Sequence, residues 1–257
     1  MIRIAAVGDV HVDKDVLGRY RPALERLPEV ADVLLVAGDL TRHGTVDEAR
    51  CFATEFGGLG VPVIVVLGNH DYQSDQEAEV AQLLTGEGIT VLEGTSTVLD
   101  IRGHRLGVAG AKGFGGGFAG ACASNFGERE MKAFVGTTEA IAERLEKALR
   151  SVECDALVAL THYAPVPETL AGEPLEIYPF LGCYQLGRAI DSAPTALALH
   201  GHAHHGSERG RTPGGVPVRN VAHPVIKQAY NVYQLLSEEG LVDHEFSMRR
   251  LRVPARP

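Results

Sequence analysis

The 257-residue sequence has no Cys-x-x-Cys pair, no block of Lys and Arg, and no apolar stretch longer than a strand. Its four cysteines, Cys51, Cys122, Cys154 and Cys183, are scattered. Neither a disulfide framework nor a thiolate metal ribbon is expected from them, and reduced, mostly buried thiols suit the pattern. Net charge is −9, and the basic residues gather only loosely near Arg249, Arg250, Arg252 and Arg256. A duplex-binding surface shows as a basic patch, so no extended nucleic-acid surface is expected. The apolar runs fall well short of the roughly 20 residues of a membrane helix, which excludes a membrane partner of that kind. The chain enters a strand pattern directly after Met1, which leaves no room for a signal peptide. A cytoplasmic location follows as the expectation.

What is present is ordinary in bulk and informative in pattern. Hydrophobic residues make up 45% and charged residues 22%, as in soluble globular chains. The length suits a single α/β domain over residues 1–257. Five phrases stand out: Gly8-Asp9-Val10-His11, Gly38-Asp39, Gly68-Asn69-His70-Asp71, Thr161-His162 and Gly201-His202-Ala203-His204. They follow apolar runs at 2–7, 33–37, 61–67, 156–160 and 196–199. Runs of that length, rich in Val and Ile, read as strands buried on both faces. In open α/β sheets the functional crevice lies at the carboxyl ends of the strands. These Asp, Asn and His residues therefore converge on one cleft, a register that scattered structural histidines would not keep.

Elsewhere the pattern alternates. Helices are expected near 16–27, after the Thr45/Glu48 capping box (with Ala49, Phe52, Ala53 and Phe56 at helical spacing), at 76–84, and up to about Arg150. Strands are expected at 89–92, in a hairpin of 98–101 with 105–108, and as antiparallel C-terminal strands within 216–247. Residues 110–127 are Gly-rich and irregular, and 163–183 form a long loop containing Pro165, Pro167, Pro174 and Pro179.

The five phrases carry a definite chemistry. Asp9 and His11 are two apart on extended chain and can grip one ion, as can His202 and His204. Asp39 has two oxygens with which to bridge two ions, Asn69 offers a neutral carbonyl oxygen, and His162 an imidazole. This mixed N/O set suits two transition-metal ions, Mn, Fe or Zn. Asn in place of a third carboxylate keeps such a pair attractive to phosphate. Ions roughly 3.5–4 Å apart clamp a phosphoryl group and bring the pKa of a bridging water towards about 7. A metal-bridging hydroxide is then the expected nucleophile, and no protein nucleophile is required.

The order G-D-x-H, G-D, G-N-H-D, H, G-H-x-H resembles the calcineurin-like metallophosphoesterase superfamily, and every element is present between Asp9 and His204. The resemblance implies an α/β fold, a four-layer α/β/β/α sandwich of two mixed β-sheets flanked by helices. It implies that Asp9, His11, Asp39 and His204 hold one metal, and Asp39, Asn69, His162 and His202 the other. It also implies that His70 is a catalytic residue facing the substrate, with Asp71 as the partner that orients it. The reaction class is better determined by this resemblance than the substrate.

For the substrate, a small phosphorylated molecule, the expectation is a phosphodiester such as a cyclic or other nucleotide. A phosphate dianion needs several fixed cations besides the metals, and only Arg42 and Lys112 stand near the motifs. Asn69, His70, Lys112, Phe114 and Tyr163 are the candidate substrate-binding residues, with 110–127 as a lid-like loop and the aromatics of 163–183 beside it. A phosphomonoesterase or nucleotide hydrolase of the same mechanism is the alternative, and a non-catalytic scaffold a weaker one. The loop aromatics leave a homodimer contact open. His200 reads as a core residue, His43 as a structural residue with reach into the pocket as the alternative, His223 as either loop structure or cleft rim, and His244 as a surface strand residue.

Overall fold

Every residue of the 33–37 run is buried, and the run divides by parity. Leu34 and Val36 enter one apolar core, while Val33, Leu35 and Ala37 enter another. Residues 2–7 divide likewise, with Ala5 and Val7 in the first core and Ile2, Ile4 and Ala6 in the second. A strand that feeds apolar cores on both faces must lie inside a layered stack. The computed structural model, which describes residues 1–236 and 240–242, shows that stack.

In chain order, β1 (Ile2–Val7), β2 (Val33–Ala37), β3 (Val63–Val66) and β4 (Thr90–Val91) lie parallel in one sheet. The second sheet starts with the hairpin of β5 (Thr95–Ile101) and β6 (His104–Ala111), whose turn holds Arg102 and Gly103 at positive φ. After the small pair β7 (Gly117–Phe118) and β8 (Ala121–Cys122) it continues through β9 (Ala156–Thr161), β10 (Thr195–His200), β11 (Arg209–Arg211) and β12 (Pro217–Asn220). Strands β13 (Asn231–Leu236) and β14 (Gly240–Val242) return to the first sheet. The orders are β14-β13-β1-β2-β3-β4 and β11-β12-β10-β9-β6-β5.

Helices α1 (Arg21–Leu24), α2 (Leu27–Val30), α3 (Val46–Phe56) and α4 (Glu77–Gly86) cover the first sheet through Leu24, Leu27, Phe52, Phe56 and Leu84. The second sheet is covered by α5 (Arg129–Ser151) and, after the single turn α6 (Tyr178–Leu181), by α7 (Tyr184–Asp191). A last turn, α8 (His223–Ile226), follows β12. The result is the four-layer α/β/β/α sandwich. The capping box at α3 is present in both directions, Thr45 with Glu48. No helix among the described residues is long and apolar enough to cross a membrane.

Three segments differ from the sequence pattern. The expected helix at 16–27 is broken into a 3-10 turn (Lys14–Val16) and α1, with α2 beginning at Leu27. Pro22 and Pro28 each restart a turn because they bring no N–H. The buried Glu55 carboxylate meanwhile accepts the N–H groups of Gly18, Tyr20 and Arg21, which fixes the start of α1 at Arg21. The Gly-rich stretch is packed rather than free-standing: from Gly110 to Phe118 it is buried apart from the half-buried Phe114. There Gly116 and Gly117 donate to the carbonyls of Pro179 and Gly182 in the 163–183 loop, at 2.6 and 2.9 Å. A Cβ on Gly115 would lie 2.6 Å from the Pro179 oxygen, so this contact needs glycine. The C-terminal strands divide between the sheets, β12 lying parallel to β10 and β13 antiparallel to β1. The rest of the strand expected beyond residue 242, with His244, lies outside the described residues.

Candidate metal centre

Strands β1, β2, β3, β9 and β10 end on the same side, and each of the five phrases is the turn that leaves one of them. The chain turns sharply there. Asp9, His11, Asp39 and His202 all adopt positive φ, between 44° and 69°. Such backbone costs on the order of 1–3 kcal/mol per residue and persists where surrounding structure enforces it, commonly at functional sites. Motif glycines make room for ligands from other strands. A Cβ on Gly68 would overlap the Asp39 carboxylate, and one on Gly201 would overlap that of Asp9.

Two groups of donor atoms result. Asp9, His11, Asp39 and His204 each offer an atom within 4.8 Å of the others, and so do Asp39, His162 and His202. Asp39 belongs to both. Its two oxygens diverge: Oδ1 is 3.3 Å from His162 Nε2, and Oδ2 is 3.9 Å from His11 Nε2. Asn69 Oδ1 lies 2.8 Å from His162 Nε2, so the amide joins the second group. The structure thus brings all seven sequence-derived ligand candidates together.

Burial sets the charge state of these donors. It lowers the imidazoles of His11 to about 4 and His202 to about 3, and holds His162 well below its ordinary value. They are neutral, each with one N–H and one lone-pair nitrogen. His204 is raised instead, by its 2.9 Å hydrogen bond to Asp9. Burial, and then the neighbouring Asp9 and Asp71 carboxylates, push Asp39 well above the usual carboxylate range. Neutral imidazoles around mutually repelling buried carboxylates fit a pair of divalent cations, which would relieve that repulsion.

Backbone carbonyls fix the rings. His162 Nδ1 is 2.9 Å from the Ala37 oxygen and His202 Nε2 is 3.3 Å from that of Phe180. Such outer partners set the tautomer and ring direction of metal-ligating histidines. They carry no side-chain signature, and sequence reasoning missed them.

His70 stands apart from both groups. Its Nδ1 lies 2.8 Å from the Arg42 carbonyl, so that nitrogen donates there, and its Nε2 faces the centre 3.9 Å from Asp39 Oδ2. The expectation that Asp71 orients this ring is corrected. Asp71 is fully buried and accepts from the Leu40 and Thr41 N–H groups, the Thr41 hydroxyl and the Gly68 N–H, at 2.6–3.1 Å. Four donors saturate the carboxylate, and it ties the Asp39 turn to the Asn69 turn.

Lys112 is 8% exposed, with its ammonium 4.5 Å from the Tyr72 ring centroid, 5.0 Å from Phe114 and 5.5 Å from Tyr163. Tyr163 in turn packs against His202, with ring centroids 4.4 Å apart and the planes tilted by 43°. Tyr72 follows the Asn69-His70-Asp71 phrase directly, an aromatic that sequence reasoning passed over. His43 is not at the centre; its Nδ1 is 2.8 Å from the capping-box Glu48. His200 is buried between the Gly201 carbonyl and the Thr169 hydroxyl, 2.8 Å from each. The His223 ring packs edge-on against Tyr20 at 5.6 Å, and its backbone N–H donates to the Gly8 carbonyl.

A family model described as calcineurin-like phosphoesterase matches residues 2–206. No curated protein matches the chain by sequence. Among solved structures, the phosphopantetheinyl hydrolase of Mycobacterium tuberculosis is similar, with 16% identity over 85% of this chain and 88% of its own and a TM-score of 0.58. The protein TT1561 of Thermus thermophilus is 17% identical over 90% and 93%, with a TM-score of 0.53. A Plasmodium protein titled GAP50, the anchor in the inner membrane complex, is 12% identical over 99% and 90%, with a TM-score of 0.54. At these identities the likeness is one of fold.

Proposed function

Because this chain belongs to the calcineurin-like phosphoesterase family, we propose that it is a two-metal phosphoesterase acting on a small phosphodiester. The family and the donor cluster support a metal-dependent phosphoester hydrolase. The observation that carries the reading is the sharing of Asp39 between two donor groups, with His70 Nε2 facing them from outside. Mn, Fe or Zn ions held by these groups would polarise the phosphoryl group and supply a nucleophile from water at neutral pH.

The chain's own residues do the rest. Asn69 and His70 lie at the edge of the centre, and His70, anchored through Nδ1, presents Nε2 to protonate or hydrogen-bond the departing ester oxygen. Asp71 keeps the two turns in register. Lys112, Phe114 and Tyr163 contact the substrate beside the second donor group.

Diester preference follows from the supply of charge. Arg42 is paired with Asp13 at 3.2 Å and with Asp15 at 2.9 Å, which withdraws one of the two cations considered for a dianionic phosphate. Lys112 remains, and the rings around it suit an organic arm. Mn-loaded protein should hydrolyse bis(p-nitrophenyl) phosphate with higher kcat/KM than p-nitrophenyl phosphate. The reverse order would establish the phosphomonoesterase alternative, and no turnover of either would leave the fold as a binding scaffold.

A further inference from the structure

A row of aromatic rings leads away from the centre. It starts at His202, passes to Tyr163 (4.4 Å between centroids), then Phe114 (5.9 Å), Phe134 (5.1 Å) and Phe180 (6.4 Å). Exposure rises along it, from 7% at Tyr163 to 60% at Phe180, and Leu175 in the same loop is 74% exposed. The outer end is tied to the inner one, since the Phe180 carbonyl holds the His202 ring. At the outer end Phe180 and Leu175 expose large apolar side chains, the kind of surface that lines ligand-binding grooves.

The inner end has the opposite character. The Lys112 ammonium lies over the Tyr163 and Phe114 rings and has no ion-pair or hydrogen-bond partner among the described residues. Lys112 keeps 8% of its surface exposed, so the rings do not seal it completely. An anion-accepting end therefore passes without a break into an apolar one.

We propose that this row binds an apolar arm of the substrate, so that the substrate class is a phosphodiester bearing a hydrophobic substituent; the inference rests on the phosphoesterase reading above. The phosphate sits at the donor groups beside Lys112, and the arm runs outward over Phe114 and Phe134 to Phe180 and Leu175. Continuity with the centre favours a substrate arm over a second copy of the chain, which would cover the outer rings without needing the inner ones.

The test uses p-nitrophenyl alkyl phosphates from methyl to octyl with Mn-loaded protein. Water adds to phosphorus, p-nitrophenolate leaves, and the alkyl phosphate is retained, so the leaving group is constant along the series. With one side of each methylene covered, kcat/KM should rise about twofold per added methylene. Phe180→Ser should flatten that slope, with Leu175→Ser a milder second variant. Val98→Ser, at another exposed apolar residue, on β5, should keep it. Calorimetric binding of methyl- and octylphosphonate reads the same preference whether or not the esters turn over. If no ester is hydrolysed, the phosphoesterase reading fails and calorimetry still decides whether the aromatic row binds an apolar arm. A flat wild-type series with equal phosphonate affinities overturns the inference. So does a Phe180→Ser effect confined to sedimentation mass, which would assign the row to a second copy.

Discussion

The ring of His162 occupies the space a side chain at residue 38 would need: a Cβ on Gly38 would lie 2.6 Å from His162 Nδ1 and 2.7 Å from Cβ and Cγ. Gly38 also holds φ at 80°, so two independent constraints require glycine before Asp39. Gly38→Ala should push His162 off the Ala37 carbonyl and away from Asp39. Displacement of a site group by about 1 Å commonly costs about a hundredfold in rate, and a loss of that order in kcat/KM is expected, with less metal retained. Wild-type kinetics in this variant would show that His162 is free to relocate.

His70→Ala should retain full metal stoichiometry while kcat falls roughly a hundredfold or more, as for loss of a positioned acid. The loss should shrink for esters with good leaving groups, which need little protonation. Loss of a metal ion in this variant would place His70 among the ligands instead.

Much of this site was legible in the residue order. Glycine, carboxylate and imidazole after each buried run betray a strand end, because period and burial decide where a strand stops. The seven donors converge as that register requires. The role of Asp71 was not legible, since its partners are backbone N–H groups of the Leu40 and Thr41 turn, 30 residues upstream. Nor was the packing of the Gly-rich stretch: glycines that permit close approach and glycines that permit freedom look the same until the Pro179 carbonyl is found against them.

Asp71→Asn separates the two roles considered for this residue. An amide presents N–H groups to donors already in place, so one or more buried N–H groups lose an acceptor. Urea denaturation of the metal-free protein should show a loss of about 3 kcal/mol or more. Unchanged stability with reduced kcat would restore Asp71 as a partner of His70.

The His200 imidazole is buried and lowered to about 4, against an ordinary value near 6.5. Its folded form resists a proton that the unfolded chain accepts. Its contribution to stability is therefore full above pH 6.5 and declines as pH falls from there towards 4, by up to about 1.4 kcal/mol per pH unit. His200→Gln removes that dependence. In the metal-free protein, the stability difference between pH 7 and pH 5 should be smaller for the variant than for the wild type. Identical differences would mean that His200 takes its proton without unfolding.

Metal content measured together with the Asp39→Ala variant tests the central claim most directly. Elemental analysis after Mn reconstitution should find two ions per wild-type chain. In Asp39→Ala both ions should weaken together, because one carboxylate serves both donor groups, and hydrolysis should disappear. One ion or none in the wild type, or a variant that loses one ion and keeps the other at wild-type affinity, would contradict a shared two-metal centre.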